Sequence, residues 1–281
     1  LEYKIEEYWK KNPNRSFVVE NEIPYSGHEL LKIFRTIQNF LKKTKSKSIL
    51  LNSRNSLLWY IIYLAAKKLK ISIITLSVNS DSKIQKQVIL KTKPCLILID
   101  DFNYNLNDYE INKDLFKINN TVNILEKKNK ELLIPSNVDL ISTSGTTGQP
   151  KLVVISTNAA IHTAKILIEK LKMNSTDTEL LCMPFCHSFG LARLRATALV
   201  GTSVFIEVGL KNFPKIYKKI CENEINGLSL VPSALELIKI LLKNKISKIS
   251  NKIKYIEIGS SEISLALRAW LKDNFQKTII M

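Results

Sequence analysis

The residues predict an α/β fold in which mostly parallel sheet is flanked by helices, and three observations carry that reading. Short β-like apolar runs alternate with longer helical ones along most of the chain. One helical segment, Ser56 to Leu69, is apolar nearly all round, so it belongs in an interior rather than on a surface. The chain has 281 residues, 45% of them apolar and 24% charged, which allows one large or two ordinary domains and excludes disordered and low-complexity classes.

The elements follow in order. Ser26-Gly27-His28-Glu29 is a capping-box signal, and Leu30, Ile33, Phe34, Ile37, Phe40 and Leu41 after it fall on one helical face. Ser48 to Leu51 reads as a strand, Ser56 to Leu69 as the buried helix, and Ile71 to Leu76 and Cys95 to Ile99 as strands around a helix from about Asp81 to Leu90. Residues 101 to 136 break the rhythm. They are rich in Asn and Asp, carry a charge run from Glu126 to Glu131, and read as an irregular connection, although they are too long to be wholly structureless in a compact fold.

Beyond them, Val138 to Ile141 and Leu152 to Ile155 read as strands around a Gly/Thr loop. Thr157 is placed to cap a helix striped by Ala160, Ile161, Ala164, Leu167, Ile168 and Leu171. Further strands are expected at Leu180 to Met183, Ser203 to Ile206, Leu228 to Val231 and Ile253 to Ile258. Helices are expected at Leu191 to Leu199, Phe213 to Glu222, Ser233 to Leu242 and Leu265 to Asp273.

Composition narrows the function. The formal net charge is +17, from 42 Lys and Arg against 25 Asp and Glu, yet only six of the cations are Arg, the residue suited to bidentate readout of phosphates and bases. The lysines run from Lys4 to Lys277, which suits a solvated surface and argues against nucleic acid as a partner. The longest strongly apolar stretch, Leu57 to Ala66, is about half of the roughly 20 residues of a membrane-spanning helix, so no membrane span is expected. Cys95, Cys182, Cys186 and Cys221 show no secreted disulfide pattern, and a reducing, cytoplasmic setting is the expectation.

The most informative segment is Ser142 to Lys151, STSGTTGQPK. Its hydroxyls at Ser142, Thr143, Ser144, Thr146 and Thr147, glycines at Gly145 and Gly148, and Lys151 follow a strand directly. Glycines let backbone N–H groups turn toward a ligand, hydroxyls add donors without bulk, and lysine supplies a mobile charge, a combination that suits polyphosphate. Two residues separate the glycines, so this is not a Walker A loop. A surface turn has a similar composition, and the word order is what separates the two readings. Cys182, Cys186 and His187 invite zinc or thiol chemistry, but no second ligand pair and no orienting third residue accompany them. Arg193 and Arg195, two apart in a helix, cannot share one face and so cannot form a joint anion clamp.

Ser-Thr-Ser-Gly-Thr-Thr-Gly-x-Pro-Lys resembles the signature loop of the adenylate-forming superfamily, which includes acyl- and aryl-CoA ligases, luciferases and nonribosomal adenylation domains. Met183 to Leu191, MPFCHSFGL, looks like its Leu-Pro-x-x-His-x-x-Gly segment, LSLVPSALEL from Leu228 like its strand, Val-Pro and helix, and Gly259 to Ser264, GSSEIS, like its Gly-Gly-Ala-Pro-Leu-Ser turn. The departures are Leu152 for glycine, Thr157 for a frequent histidine, Ser260 for the second glycine and Glu262 for proline.

The resemblance implies the partial N-terminal domain of an adenylate-forming enzyme. Its layers would be two interleaved α/β subdomains, one from residues 45–155 and the other from 1–44 with 156–281; contiguous halves split near 136 are the fallback. It implies ATP with Mg²⁺, a carboxylic acid substrate, and CoA or an acyl-carrier protein as acceptor. Thr143, Ser144, Gly145, Thr146, Thr147, Gly148 and Lys151 would cradle the phosphates, with Lys151 balancing pyrophosphate charge. His187 would orient the carboxylate, and Gly259, Ser260 and Ser261 would border adenine and the acyl pocket. The family's Tyr-Gly-x-Thr-Glu segment is expected just after Met281, so the mobile C-terminal domain and the metal ligand are expected outside these residues, and little turnover is expected from them alone. A nucleotide- and acyl-binding homologue without catalysis is the alternative.

Overall fold

The computed structural model describes residues 5–100, 109–111, 123–127, 134–143 and 151–281. The chain opens with α1 (Ile5–Lys11), the hairpin β1 (Ser16–Glu20) and β2 (Ile23–Ser26), and α2 (Gly27–Lys43). Next come β3 (Ser48–Asn52), α3 (Leu57–Lys68), β4 (Ser72–Thr75), α4 (Ser82–Thr92), β5 (Leu96–Ile99), β6 (Tyr109–Ile111), β7 (Asn123–Lys127), β8 (Val138–Thr143) and β9 (Lys151–Ser156). The remainder alternates: α5 (Thr157–Lys170), β10 (Thr178–Leu181), α6 (Ser188–Val200), β11 (Ser203–Ile206), α7 (Phe213–Cys221), β12 (Gly227–Leu230), α8 (Pro232–Leu242), α9 (Ser247–Ser250), β13 (Tyr255–Ile258), α10 (Leu265–Asn274) and β14 (Ile279–Ile280).

Among the described residues the strands form two seven-stranded sheets, ordered β6-β7-β5-β3-β4-β8-β9 and β14-β13-β12-β10-β11-β1-β2. β3, β4, β5 and β8 run parallel in the first, and β1, β10, β11, β12, β13 and β14 in the second. The N-terminal hairpin crosses to the edge of the second sheet, where β1 pairs with β11.

Period-two alternation sorts the strand side chains between layers. In β3 to β5, Ile49, Leu51, Ile73, Leu96 and Leu98 join the core shared with the second sheet, while Leu50, Ile74, Ile97 and Ile99 meet Val88 and Ile89 of α4 on the outside. In the second sheet Leu181, Val204 and Ile206 face that shared core, whereas Leu180, Phe205, Leu228, Leu230 and Ile256 face α7, α8 and α10. Helices α2, α3 and α6 therefore lie between the sheets.

α3 shows which force decides. Its Trp59-Tyr60-Ile61-Ile62-Tyr63 run consists of weak helix formers, each disfavoured by up to about 0.7 kcal/mol. Burial of each such side chain returns about 1.5–3 kcal/mol, and every residue from Leu57 to Lys67 is buried. Ser56 Oγ accepts from Trp59 N and Glu20 Oε1 accepts from Leu57 N, so two of the donors at the buried start of the helix are satisfied by side chains.

α6 lies between the sheets and carries an arginine to each. Arg195 reaches Asp139 of β8, which is 0% exposed; Asp139 also accepts from Lys67 Nζ at 3.1 Å and Tyr63 Oη at 2.8 Å, while Arg195 Nε donates to Tyr63 Oη at 2.8 Å. Two residues earlier, Arg193 Nε and Nη2 donate to the Glu179 carboxylate of β10 at 2.8 and 2.6 Å. The two guanidiniums diverge, as their spacing requires.

The structure corrects four expectations. The connection at 101–136 contributes strands: β7 pairs antiparallel with β5, and β6 with β7. β10 ends at Leu181 rather than Met183, and α6 begins at Ser188 rather than Leu191. The cap of α5 is Ser156, whose Oγ accepts from Ala159 N; Thr157 is the first helical residue, and its buried hydroxyl donates to Asn137 O instead. Strands 48–51, 71–76 and 95–99, expected in one sheet, lie in one sheet.

Arg195→Met is expected to cost about 3–5 kcal/mol, read as a lowered urea midpoint, because a buried carboxylate loses its strongest partner. The Asp139→Asn/Arg195→Met double variant should cost less than the sum of the singles, since each single change strands the other's charge.

Candidate functional site

The parallel strands of both sheets end at a common edge, and the segment after β10 bridges it. Pro184 has no N–H to extend the strand, and Asn55, in the loop that follows β3, takes over the neighbouring groups. Asn55 Nδ2 donates to Met183 O at 2.9 Å and Glu207 O at 3.3 Å, and its Oδ1 accepts from Phe185 N at 2.8 Å. Phe185 is buried against Trp59, ring centroids 5.2 Å apart, and Thr75 Oγ1 donates to Cys186 O at 2.8 Å. His187, exposed, is then the N-cap of α6 and makes no side-chain capping bond, so its imidazole faces outward at the positive end of a thirteen-residue helix. The turn is tight enough to require glycine: a Cβ on Gly190 would lie 2.2 Å from Pro184 O.

The Gly/Thr loop segment springs from the same edge. Thr75 lies opposite Ile141 in the β4/β8 ladder, two residues before Thr143, and Thr143 pairs with Lys151 at the base of the β8/β9 hairpin. Lys151 is exposed there. Ser144, Gly145, Thr146, Thr147 and Gly148 lie outside the described residues. The structure thus sets the ends of the loop, Thr143 and Lys151, near β4, whose Thr75 bonds the carbonyl of Cys186 just before His187.

The turn after β13 joins from the other side. The ring of Phe189 covers Gly259, where an added Cβ would meet it at 2.7 Å, so the second and third motif segments touch. Ser260 has φ +76°, the left-handed region in which a side chain costs about 1–2 kcal/mol, which explains why glycine is natural there. Ser260, Ser261 and Glu262 are exposed, and Ser264 Oγ caps α10 through Leu267 N.

Beneath these segments lies a charged cluster that the motifs did not reveal. Glu179 accepts from Arg193, from Ser229 Oγ at 2.9 Å and from Tyr255 Oη at 2.8 Å, tying β10, β12, β13 and α6 together. Arg193 Nη1 also lies 2.8 Å from Glu257 Oε2, two residues before Gly259. The available signal was a carboxylate inside an apolar strand, Glu179 in TELL, Glu257 in YIEI and Asp139 in VDLI, since burial of a charge demands a partner. Asn55 and Thr75 carried no such mark.

Burial removes the thiols from the chemistry: it pushes Cys182 up to about 12 and Cys186 up to about 11. Both therefore favour the protonated form at neutral pH, which opposes a thiolate nucleophile at either position. Among the described residues no group of three His, Cys, Asp or Glu converges on a metal position.

Ellman's reagent at pH 8 is accordingly expected to modify only the half-buried Cys221 in the native chain, with Cys95, Cys182 and Cys186 reacting after unfolding. Burial, opposed in part by Arg193, raises the Glu257 carboxyl above its ordinary value. A raised carboxyl stabilises the fold below its unfolded value, and that contribution is lost as pH rises through the folded one. Glu257→Gln should therefore hold or raise the urea midpoint at pH 7, whereas Glu179→Gln should cost about 3–5 kcal/mol.

Comparison with known proteins agrees with the fold. The N-terminal domain of FACL13 from Mycobacterium tuberculosis superposes with a TM-score of 0.78 at 14% identity, covering 97% of this chain and 73% of that one. O-succinylbenzoate coenzyme A synthetase (MenE) from Bacillus subtilis, in complex with AMP, superposes with a TM-score of 0.74 at 16% identity, covering 97% and 71%. A very long-chain fatty acid transport protein of Cochliobolus heterostrophus is 27% identical over 139 residues, 50% of this chain. That match spans 22% of the relative's length. The sequence profile described as AMP-binding enzyme matches residues 5–281, and the chain belongs to that family.

Proposed function

We propose that this chain activates a carboxylic acid by adenylation. A carboxylate oxygen attacks the α-phosphorus of ATP, the bond to pyrophosphate breaks, and an acyl-adenylate results. A thiol of CoA or of a carrier protein then attacks the acyl carbon, AMP leaves, and the thiol proton passes to solvent. The observation that carries the reading is the meeting of the three motif segments at one edge of two parallel sheets, with Thr143 and Lys151 at the loop base, Cys186 clasped by Thr75, and Phe189 against Gly259.

The roles follow the motif resemblance, and Ser144, Gly145, Thr146, Thr147 and Gly148 lie outside the described residues. Thr143, Ser144, Gly145, Thr146, Thr147 and Gly148 supply backbone and hydroxyl donors to the β- and γ-phosphates, and Lys151 balances charge on the departing pyrophosphate. His187, outward at the start of α6, orients the carboxylate, and Gly259, Ser260 and Ser261 border the adenine and the inner end of the acyl pocket. Mg²⁺ would neutralise phosphate charge in a reaction of this class, but the described residues offer it no converging group of ligands, and no step is assigned to it. Two interleaved subdomains are assigned, 45–155 and 1–44 with 156–281, and the grouping of the strands into two sheets supports that division. Four free cysteines suit a reducing cytoplasm, and no helix among the described residues is long and apolar enough to cross a membrane.

The test combines binding and turnover. Titration calorimetry with non-hydrolysable acyl-adenylate mimics should give saturable binding, weakened by His187→Ala and Lys151→Ala. ATP–pyrophosphate exchange with a panel of fatty, aryl and amino acids is expected to be weak for these 281 residues alone, whereas a longer natural chain carrying them should exchange with at least one acid, Lys151→Ala lowering its rate by about 10²-fold. Mimic binding without exchange by that longer chain would replace catalysis by the nucleotide- and acyl-binding reading, and absence of both would end the proposal.

A further inference from the structure

We propose that the outward face of α8, continued by the start of α10, docks on an anionic lipid bilayer surface. Leu235, Ile238 and Leu242 turn inward to the core, whereas Leu237, Ile240 and Leu241 are 43%, 64% and 49% exposed. Their i, i+3, i+4 spacing sets them in one stripe. Leu265, the first residue of α10, is 82% exposed and lies beside that stripe, because the adjoining Ser264 Oγ is 3.4 Å from Glu236 Oε1. A lone exposed aliphatic side chain is ordinary, but four grouped on two packed helices form a patch.

Charge selects the occupant. The segment from Pro232 to Lys254 contains six lysines and one acidic residue, Glu236, which lies 3.6 Å from Lys239. Lys243 and Lys245, in a 3-10 turn directly after α8, and Lys248 of α9 are exposed, with no acidic partner among the described residues. On α10, Arg268 and Lys272 follow Leu265 on the exposed face; the acidic groups nearby are Glu262 before the helix and Asp273 at its end. An aliphatic stripe rimmed by lysines meets both phases of a bilayer interface: alkyl groups enter the acyl boundary while ammonium groups stay at lipid phosphates. A second copy of the chain would bring the same positive rim, which opposes pairing. Nucleic acid offers the lysines phosphate but gives four aliphatic side chains no apolar phase.

The test is co-sedimentation of the 281-residue chain with phosphatidylcholine vesicles, with and without about 30% phosphatidylserine. Binding is expected on the anionic vesicles only, reduced about tenfold by Ile240→Glu/Leu241→Glu and by Lys243→Glu/Lys245→Glu/Lys248→Glu. Ile166→Glu, a change at an exposed aliphatic residue of α5, should leave binding intact, and circular dichroism melts check that each variant folds. Equal binding by wild type and the α8 variants would overturn the proposal, as would absence of binding to anionic vesicles. So would a wild-type dimer in sedimentation velocity that Ile240→Glu/Leu241→Glu disperses, since the face would then be an interface between copies.

Discussion

Two arginines two residues apart on α6, Arg193 and Arg195, hold the layers in register. A helix turns 200° over two residues, so a helix between two sheets sends such a pair to opposite sides. Arg195 pins the first sheet through Asp139, and Arg193 pins the second through Glu179. All four side chains are almost wholly buried, so no slip of α6 against either sheet is possible without stranding a charge in apolar surroundings. Such pairs add little net stability over well-packed hydrophobes, but they penalise misplacement heavily.

That constraint matters because α6 begins at the candidate site. With its middle fixed by the arginines, its start is fixed as well, and His187, Phe189 and the Gly190 turn take up set positions. Asn55 and Thr75 complete the clasp from the side of the first sheet, bonding to the chain around Met183, Phe185 and Cys186. The site is thus held by polar groups on rigid elements, and its hydrogen bonds cross between layers that the hydrophobic core has already brought together.

Much of this was legible beforehand. The capping box at Ser26, the buried α3 and the strands β3, β4 and β5 follow from periodicity, because each is decided by neighbours within a few residues. β6 and β7 were hidden, since Tyr109–Ile111 and Asn123–Lys127 sit among polar residues and become strands by adding to the edge at β5. The boundary of β10 was misread for a related reason: Cys182 and Met183 are apolar enough to extend a strand, and a side chain 128 residues away, Asn55, draws the Met183 carbonyl out of it.

The sequence by itself determined the alternation of strand and helix and the order of the three motif segments, because both are written in local period and covalent spacing. It also determined that Arg193 and Arg195 diverge, since helix geometry alone requires it. Only the tertiary structure decided where they point, which carboxylates receive them, and that Phe189 closes on Gly259. Those choices depend on partners tens of residues away, as with Asp139 and Arg195 at a separation of 56, and no local pattern encodes which distant strand will come within hydrogen-bond reach.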